Sequence, residues 1–231
     1  MPGGWQPRTP GRPPPVVTVP GVYSPQSDTL LLAAALARED IRPGAEALDL
    51  CTGSGTLALA AARRGARVTA VDVSRRAVWN TRLNAVLARE RIRVRHGDLT
   101  GPLPPEDRFD LVVSNPPYVP APPGTPPTGG GPALAWDAGT NGRELLDRIC
   151  DNVPAVLKHS GLLLLVHSAL CGTEETLSRL AEAGLRATVG ARVRIPLGPV
   201  LRDRRDRLCA AGLLKPCDES EELVIIRAWH P

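Results

Sequence analysis

The amino-acid sequence predicts an α/β chain built on a seven-stranded, mostly parallel, doubly wound sheet. Three observations predict it. Short apolar runs alternate with helical segments from residue 45 onward, and right-handed βαβ crossovers leave such a chain little but a parallel sheet covered on both faces. Aromatic residues are 3% of a chain that is 42% hydrophobic, so the core falls to Leu, Val, Ile and Ala, as suits doubly buried strands. A glycine-containing turn, Cys51-Thr52-Gly53-Ser54-Gly55, follows the first strand of the series, where open α/β sheets bind their ligands.

Taken in order, residues 1–15 are rich in Pro, Gly and Arg and read as a flexible tail, leaving residues 16–231 as a single domain. Residues 16–19 are expected to form a short strand, and 29–39 a helix capped by Ser27 or Asp28. Strands at 45–51, 67–71, 92–96 and 109–114 alternate with helices at 56–64 and 74–88. A Pro/Gly-rich loop over 119–132 leads to a helix at 142–158 and a buried strand at 162–166. A helix at 173–183, a strand at 186–195, a helix at 200–211 and a strand at 222–228 complete the chain. The final strand returns after a short connection and is expected to be antiparallel.

Composition narrows the classes. The net charge of +4 is carried almost wholly by arginine, since only Lys158 and Lys215 are lysines, and it lacks the clustered footprint of a dedicated nucleic-acid binder. Arg202 to Arg207 are densely charged, but Arg202/Asp206 and Asp203/Arg207 have i, i+4 spacing, which predicts a self-neutralised helix face. The five cysteines show no CxxC spacing, and His159, His167 and His230 no metal-ligand spacing, so no metal is expected. No signal-peptide core follows the start, and the apolar run 162–166 is far too short to span a bilayer. A cytoplasmic protein with no membrane partner is expected.

The turn after residue 50 carries the first chemical signal. Gly53 and Gly55 let the backbone turn tightly and approach a ligand. With Ala58 they also satisfy the loose GxGxxG/A pattern of dinucleotide sites, so a nicotinamide or flavin remains an alternative at this point. Asp49, at the strand end, favours a ligand bearing a sulfonium and an ammonium over a pyrophosphate. Asp72, at the tip of the second strand, is placed to take both ribose hydroxyls. After the third strand, Asp98 can accept an adenine amino group and Leu99 can pack on its ring. This three-point grip fits S-adenosylmethionine, and the sheet then corresponds to the class I fold of methyltransferases using that cofactor.

The second signal is Asn115-Pro116-Pro117-Tyr118, directly after the fourth strand. The lone pair of an amide or aromatic amine nitrogen is delocalised, so its methylation depends on orientation. The Asn115 side-chain oxygen and the Pro116 carbonyl can accept the two N–H bonds and aim the lone pair at the methyl donor. The prolines fix the backbone, Tyr118 can stack on a planar group, and Trp136 is a candidate apolar wall at the pocket mouth, residues 136–142. Asn115, Pro116 and Tyr118 are the candidate catalytic residues; these with Pro117 and Trp136 form the candidate substrate site.

These blocks, with Val22-Tyr23-Ser24-Pro25-Gln26-Ser27-Asp28-Thr29 and Ala135-Trp136-Asp137-Ala138-Gly139-Thr140-Asn141-Gly142-Arg143-Glu144, resemble the HemK-type N5-glutamine methyltransferases that modify the Gly-Gly-Gln motif of translation release factors. The likeness is to the short branch best known from eukaryotes and archaea. It implies that Thr29, Asp49, Gly53, Asp72, Asp98, Leu99 and Asn115 contact cofactor or substrate. It also implies a protein substrate, a release factor, and a small zinc-binding activator subunit. Cys51 stands where the family carries its first loop glycine, a change expected to be tolerable provided the position needs little positive φ. Alternatives are N6-adenine methylation of a nucleic acid, which is not expected as direct substrate, small-molecule N-methylation, and a non-catalytic cofactor-binding module.

Overall fold

The computed structural model describes residues 14–121 and 136–231. Most of the tail expected at 1–15, and the greater part of the Pro/Gly-rich loop, lie outside the described residues.

The elements run α1 (Ser27–Leu36), β1 (Glu46–Leu50), α2 (Thr56–Ala62), β2 (Arg67–Asp72), α3 (Arg75–Ala88), β3 (Ile92–His96), β4 (Phe109–Ser114), α4 (Glu144–Val156), β5 (Leu157–Ser168), α5 (Thr173–Glu182), β6 (Arg186–Pro196), α6 (Pro199–Asp203), α7 (Arg205–Ala210) and β7 (Ser220–Trp229). The seven strands form one sheet in the order β3-β2-β1-β4-β5-β7-β6. β1 to β5 pair in parallel, whereas β7 is antiparallel to both β5 and β6. This is the expected class I methyltransferase sheet.

Alternation along the central strands divides the core. Leu48, Leu50 and Val112 face a layer holding Leu146, Ile149 and Val153 of α4. Ala47, Leu111 and Val113 face the other layer, with Leu32 and Leu36 of α1 and Leu57 and Ala58 of α2. Side chains one residue apart point to opposite faces, so both faces of β1 and β4 are apolar and buried.

Three expectations are corrected. Residues 16–19 join no strand; Val17 and Val19 are instead held by side chains, their N–H groups donating to Asn84 Oδ1 and Asn80 Oδ1 at 2.9 Å each. The helix expected at 200–211 is two short helices meeting at Arg204, whose φ/ψ of −96°/2° leaves the α-helical region. That break removes the i, i+4 register: Arg204 pairs with Asp137 at 2.6 Å, and Arg205 caps the carbonyls of Pro216 and Asp218. Neither Ser27 nor Asp28 caps α1, which starts after Gln26 without a side-chain cap.

Candidate active site

The strand order reverses between β1 and β4, and the carboxyl ends of β1, β2, β3 and β4 open onto one cavity of about 830 Å³. This is the switch-point crevice in which doubly wound sheets bind ligands. Of the residues singled out from the sequence, Thr29, Gly53, Asp72, Asp98, Leu99, Asn115, Pro116, Pro117, Tyr118 and Trp136 line it. Asp49 and Gly55 are not among the wall residues.

Asp49 points into the protein. It is 1% exposed, and its Oδ2 accepts the Thr52 hydroxyl at 2.6 Å and the Ala58 N–H at 3.0 Å. The carboxylate thus anchors the first turn of α2, where unpaired N–H groups and the helix dipole favour negative charge. Its Oδ1 has no partner, and burial pushes its pKa up to about 7 against those two hydrogen bonds. Gly55 has φ of +82°, and a Cβ there meets the Thr81 side chain at 2.9 Å. Its missing side chain therefore serves the packing of the loop on α3.

Asp72 stands at the cavity edge with both oxygens tethered, Oδ2 by the Gly53 N–H at 2.9 Å and Oδ1 by the Ser74 N–H at 2.8 Å. Burial raises its pKa, and these hydrogen bonds oppose the rise. Each oxygen keeps a further lone pair for a ligand hydroxyl. Asp98 forms an ion pair with Arg148 of α4, a cavity residue the sequence reading did not single out. Leu99 is 6% exposed at φ +45° and supplies an apolar wall beside it. Cys51 also lies at positive φ, +58°, so the position does need the left-handed backbone, and the cysteine holds it at some cost in strain.

At the acceptor end, Asn115 Nδ2 donates to Thr29 Oγ1 at 3.0 Å, and the Tyr118 hydroxyl donates to Asp28 Oδ2 at 3.1 Å. Tyr23 donates to the same oxygen at 2.9 Å. Asp28, 4% exposed, had been read from the sequence only as a helix cap. Glu221, at the start of β7, also reaches the cavity wall, with its pKa raised by burial; it went unnoticed in the sequence, where nothing separates it from the neighbouring acids. The 136–144 segment that closes this end is pinned by Arg143, 2% exposed, which donates to the Gly172 carbonyl at 3.0 Å and the Thr176 hydroxyl at 3.1 Å.

A parallel sheet with an antiparallel seventh strand, strand-end acids around its crevice and Asn-Pro-Pro-Tyr at the rim define a class I methyltransferase. The Methyltransferase small domain family matches residues 14–122. Human Methyltransferase HEMK2 is 35% identical over 174 residues, covering 72% of this chain and 81% of that one. A Methanocaldococcus jannaschii protein, assigned by inference as a protein N5-glutamine methyltransferase, is 29% identical over 91% of this chain and 93% of its own. Among solved structures, Mtq2 of E. cuniculi, in complex with Trm112, superposes with a TM-score of 0.64 at 26% identity, covering 91% of this chain and 99% of that one. The release factor glutamine methyltransferases of Bordetella pertussis and Mycolicibacterium smegmatis align over 38% and 37% of their length, and that of Streptomyces coelicolor over 56%. The chain belongs to the HemK-type methyltransferase family.

The methyl donor is S-adenosylmethionine. The cavity fits it: Asp72 keeps acceptor capacity beside the Gly53 turn, Leu99 offers a flat apolar wall, and the strand-end carboxylates suit a ligand of net positive charge. Among the described residues no group of His, Cys, Asp and Glu is arranged to hold a metal, and no helix is long and apolar enough to cross a membrane.

Proposed function

We propose that the chain methylates the side-chain amide nitrogen of a protein glutamine, of the Gly-Gly-Gln type found in translation release factors. The observation that carries this reading is the orientation of Asn115: its NH2 group is spent on Thr29, which turns Oδ1 to the acceptor. A primary amide offers two N–H donors, and Asn115 Oδ1 and the Pro116 carbonyl are the two acceptors this tetrapeptide supplies. Held so, the amide plane presents its nitrogen face-on rather than edge-on. Bound S-adenosylmethionine supplies an electrophilic methyl on sulfur; the N–C bond forms as the S–C bond breaks, and one amide proton leaves to solvent. Asp72 and Asp98 hold the ribose and adenine, Leu99 packs on the ring, Gly53 lets the backbone approach, and Thr29 belongs to the cofactor-facing wall. Trp136 and Tyr118 bound a narrow acceptor channel that suits a flexible side chain on an extended loop, whereas a base in a duplex must first be flipped out.

The likeness to human HEMK2 and to Mtq2, solved with Trm112 and described as methylating the eRF1 termination factor, supports a release factor as substrate. It also supports a small activator subunit. To this the proposal adds zinc binding by that subunit, a single methyltransferase domain over residues 16–231 and a cytoplasmic reaction. The test is transfer of labelled methyl to a release-factor fragment carrying Gly-Gly-Gln, with a candidate activator added. Mass spectrometry is expected to place the methyl on the glutamine, a Gly-Gly-Asn fragment to be a much poorer acceptor, and Asn115→Ala to lose the activity, by roughly 2–4 kcal/mol of transition-state stabilisation. Efficient methylation of adenine oligonucleotides with every Gly-Gly-Gln substrate inert would replace this reading.

A further inference from the structure

We infer that Asp28 is the positioning residue of methyl transfer, setting both ends of the Asn-Pro-Pro-Tyr tetrapeptide at once. The inference rests on the proposed role of Asn115 and extends it to a buried carboxylate of the cavity wall whose two oxygens are both engaged by protein donors. Four donors converge on this carboxylate. Oδ1 accepts the Thr29 N–H at 2.6 Å and the Thr29 hydroxyl at 3.3 Å. Oδ2 accepts the hydroxyls of Tyr23 at 2.9 Å and Tyr118 at 3.1 Å.

The direction of each bond follows from proton count. A carboxylate offers acceptors only, and a threonine hydroxyl has one proton. With that proton given to Asp28, Thr29 Oγ1 can only accept from Asn115, so the Asn115 amide must present its NH2 to Thr29 at 3.0 Å. Its Oδ1 is thereby turned away from Thr29. An amide flipped by 180° would set oxygen against oxygen, with no proton between them. Asp28 thus selects, through one hydroxyl, which end of the Asn115 carboxamide meets the acceptor nitrogen. At the other end of the tetrapeptide the same carboxylate holds the Tyr118 hydroxyl and so fixes the direction of a ring that lines the cavity. Prolines stiffen the two residues between, so the loop is held at both termini by one group.

The experiment measures kcat, KM for a Gly-Gly-Gln fragment and Kd for S-adenosylmethionine on the full chain with its activator, for Asp28→Ala, Asp28→Asn, Thr29→Val and the double variant Asp28→Ala/Thr29→Val. Asp28→Ala is expected to lower kcat by roughly tenfold to 100-fold, the scale of a misoriented reacting group, while KM and cofactor Kd move far less. Asp28→Asn keeps an acceptor towards the Thr29 N–H and is expected to retain more activity than Asp28→Ala. Thr29→Val added to Asp28→Ala costs little more, because both cut one relay. A folded Asp28→Ala with undiminished kcat, or fully additive losses in the double variant, overturns the inference. If Asp28→Ala does not fold, Thr29→Val, Asp28→Asn and the double variant Asp28→Asn/Thr29→Val decide in the same way: fully additive kcat losses in the double variant, or an undiminished kcat in Thr29→Val, remove the relay. An active Asn115→Ala would instead fault the underlying proposal, so the two failures are told apart.

Discussion

Asp49 is buried with one oxygen carrying two hydrogen bonds and the other none, and its titration is a consequence that can be measured. Its folded pKa is raised from 3.8 to about 7 by burial. Between those values the folded protein keeps a proton that the unfolded chain has lost. The stability tied to this group is therefore full below about 3.8 and lost as the pH rises through 7. His167, pushed down from 6.5 to about 4 by burial, acts in the opposite sense: its contribution is full above 6.5 and lost as the pH falls towards 4. Asp49→Asn removes the first effect and leaves the second. Urea unfolding across pH 4–7 should show the variant gaining on the wild type with a slope approaching about 1.4 kcal/mol per pH unit; parallel curves would mean that Asp49 stays charged throughout. The position of Asp49 at a strand end was legible in the sequence, but its inward aim was not, because a carboxylate facing the ligand and one capping the next helix from beneath occupy the same place in the pattern. Asp72 and Asn115 do lie on the cavity wall, a place legible in the sequence because each is the last polar group of, or first after, a strand whose register the apolar pairing fixes.

Among elements, the segment ahead of α1 is the most informative failure of sequence reading. Val16-Val17-Thr18-Val19 has the composition of a strand, yet its hydrogen bonds go to two asparagines one turn apart on α3. Asn84 Oδ1 accepts the Val17 N–H, and the Asn84 and Asn80 NH2 groups both donate to the Val17 carbonyl at 2.8 Å. Asn80 and Asn84 are 0% and 2% exposed, so the side chains replace a neighbouring strand, which no local pattern can reveal. Asn84 also donates to the Ser54 carbonyl at 2.8 Å, tying this strap to the cofactor turn. Asn84→Ala leaves the Ser54 carbonyl, in a buried residue, and the Val17 N–H without their side-chain partner and should cost roughly 1–3 kcal/mol in urea unfolding, with weakened cofactor binding alongside. A loss within the scatter of surface substitutions, with affinity intact, would show that the strap stands without it. β1 to β4, by contrast, were legible to within one residue at either end, since each is a short segment built on apolar or β-branched positions and bounded by turn residues. β5 ran longer than its apolar run because its first residues, Leu157–Gly161, pair irregularly around a register shift opposite Phe109.

At the scale of the whole molecule, the cavity joins parts of the chain that lie far apart in sequence. Its walls come from the strap before α1, the ends of β1 to β4, the 136–148 region and the turn after β6. A ligand that touches all of them acts as a tether across the fold and should stabilise it by mass action, because the unfolded chain offers no such site. At about 100 times its Kd, S-adenosylmethionine is worth about 2.7 kcal/mol. For a chain of this size that corresponds to a rise in Tm of roughly 5–10 °C. NAD should produce no comparable rise: Asp72 and its β2 position suit either ribose, but the 51–55 turn is backed by a buried carboxylate rather than by a free helix N-terminus open to a pyrophosphate. Asp72→Ala should abolish the shift seen with S-adenosylmethionine, whereas Asn115→Ala should keep most of it, since Asn115 is engaged with Thr29 and serves the acceptor. The discriminating measurement is a thermal melt of the three proteins with each ligand. A shift with NAD equal to that with S-adenosylmethionine, or one that survives Asp72→Ala, would mean that the strand-end acids do not grip the ribose and that the cavity takes its ligand in some other pose.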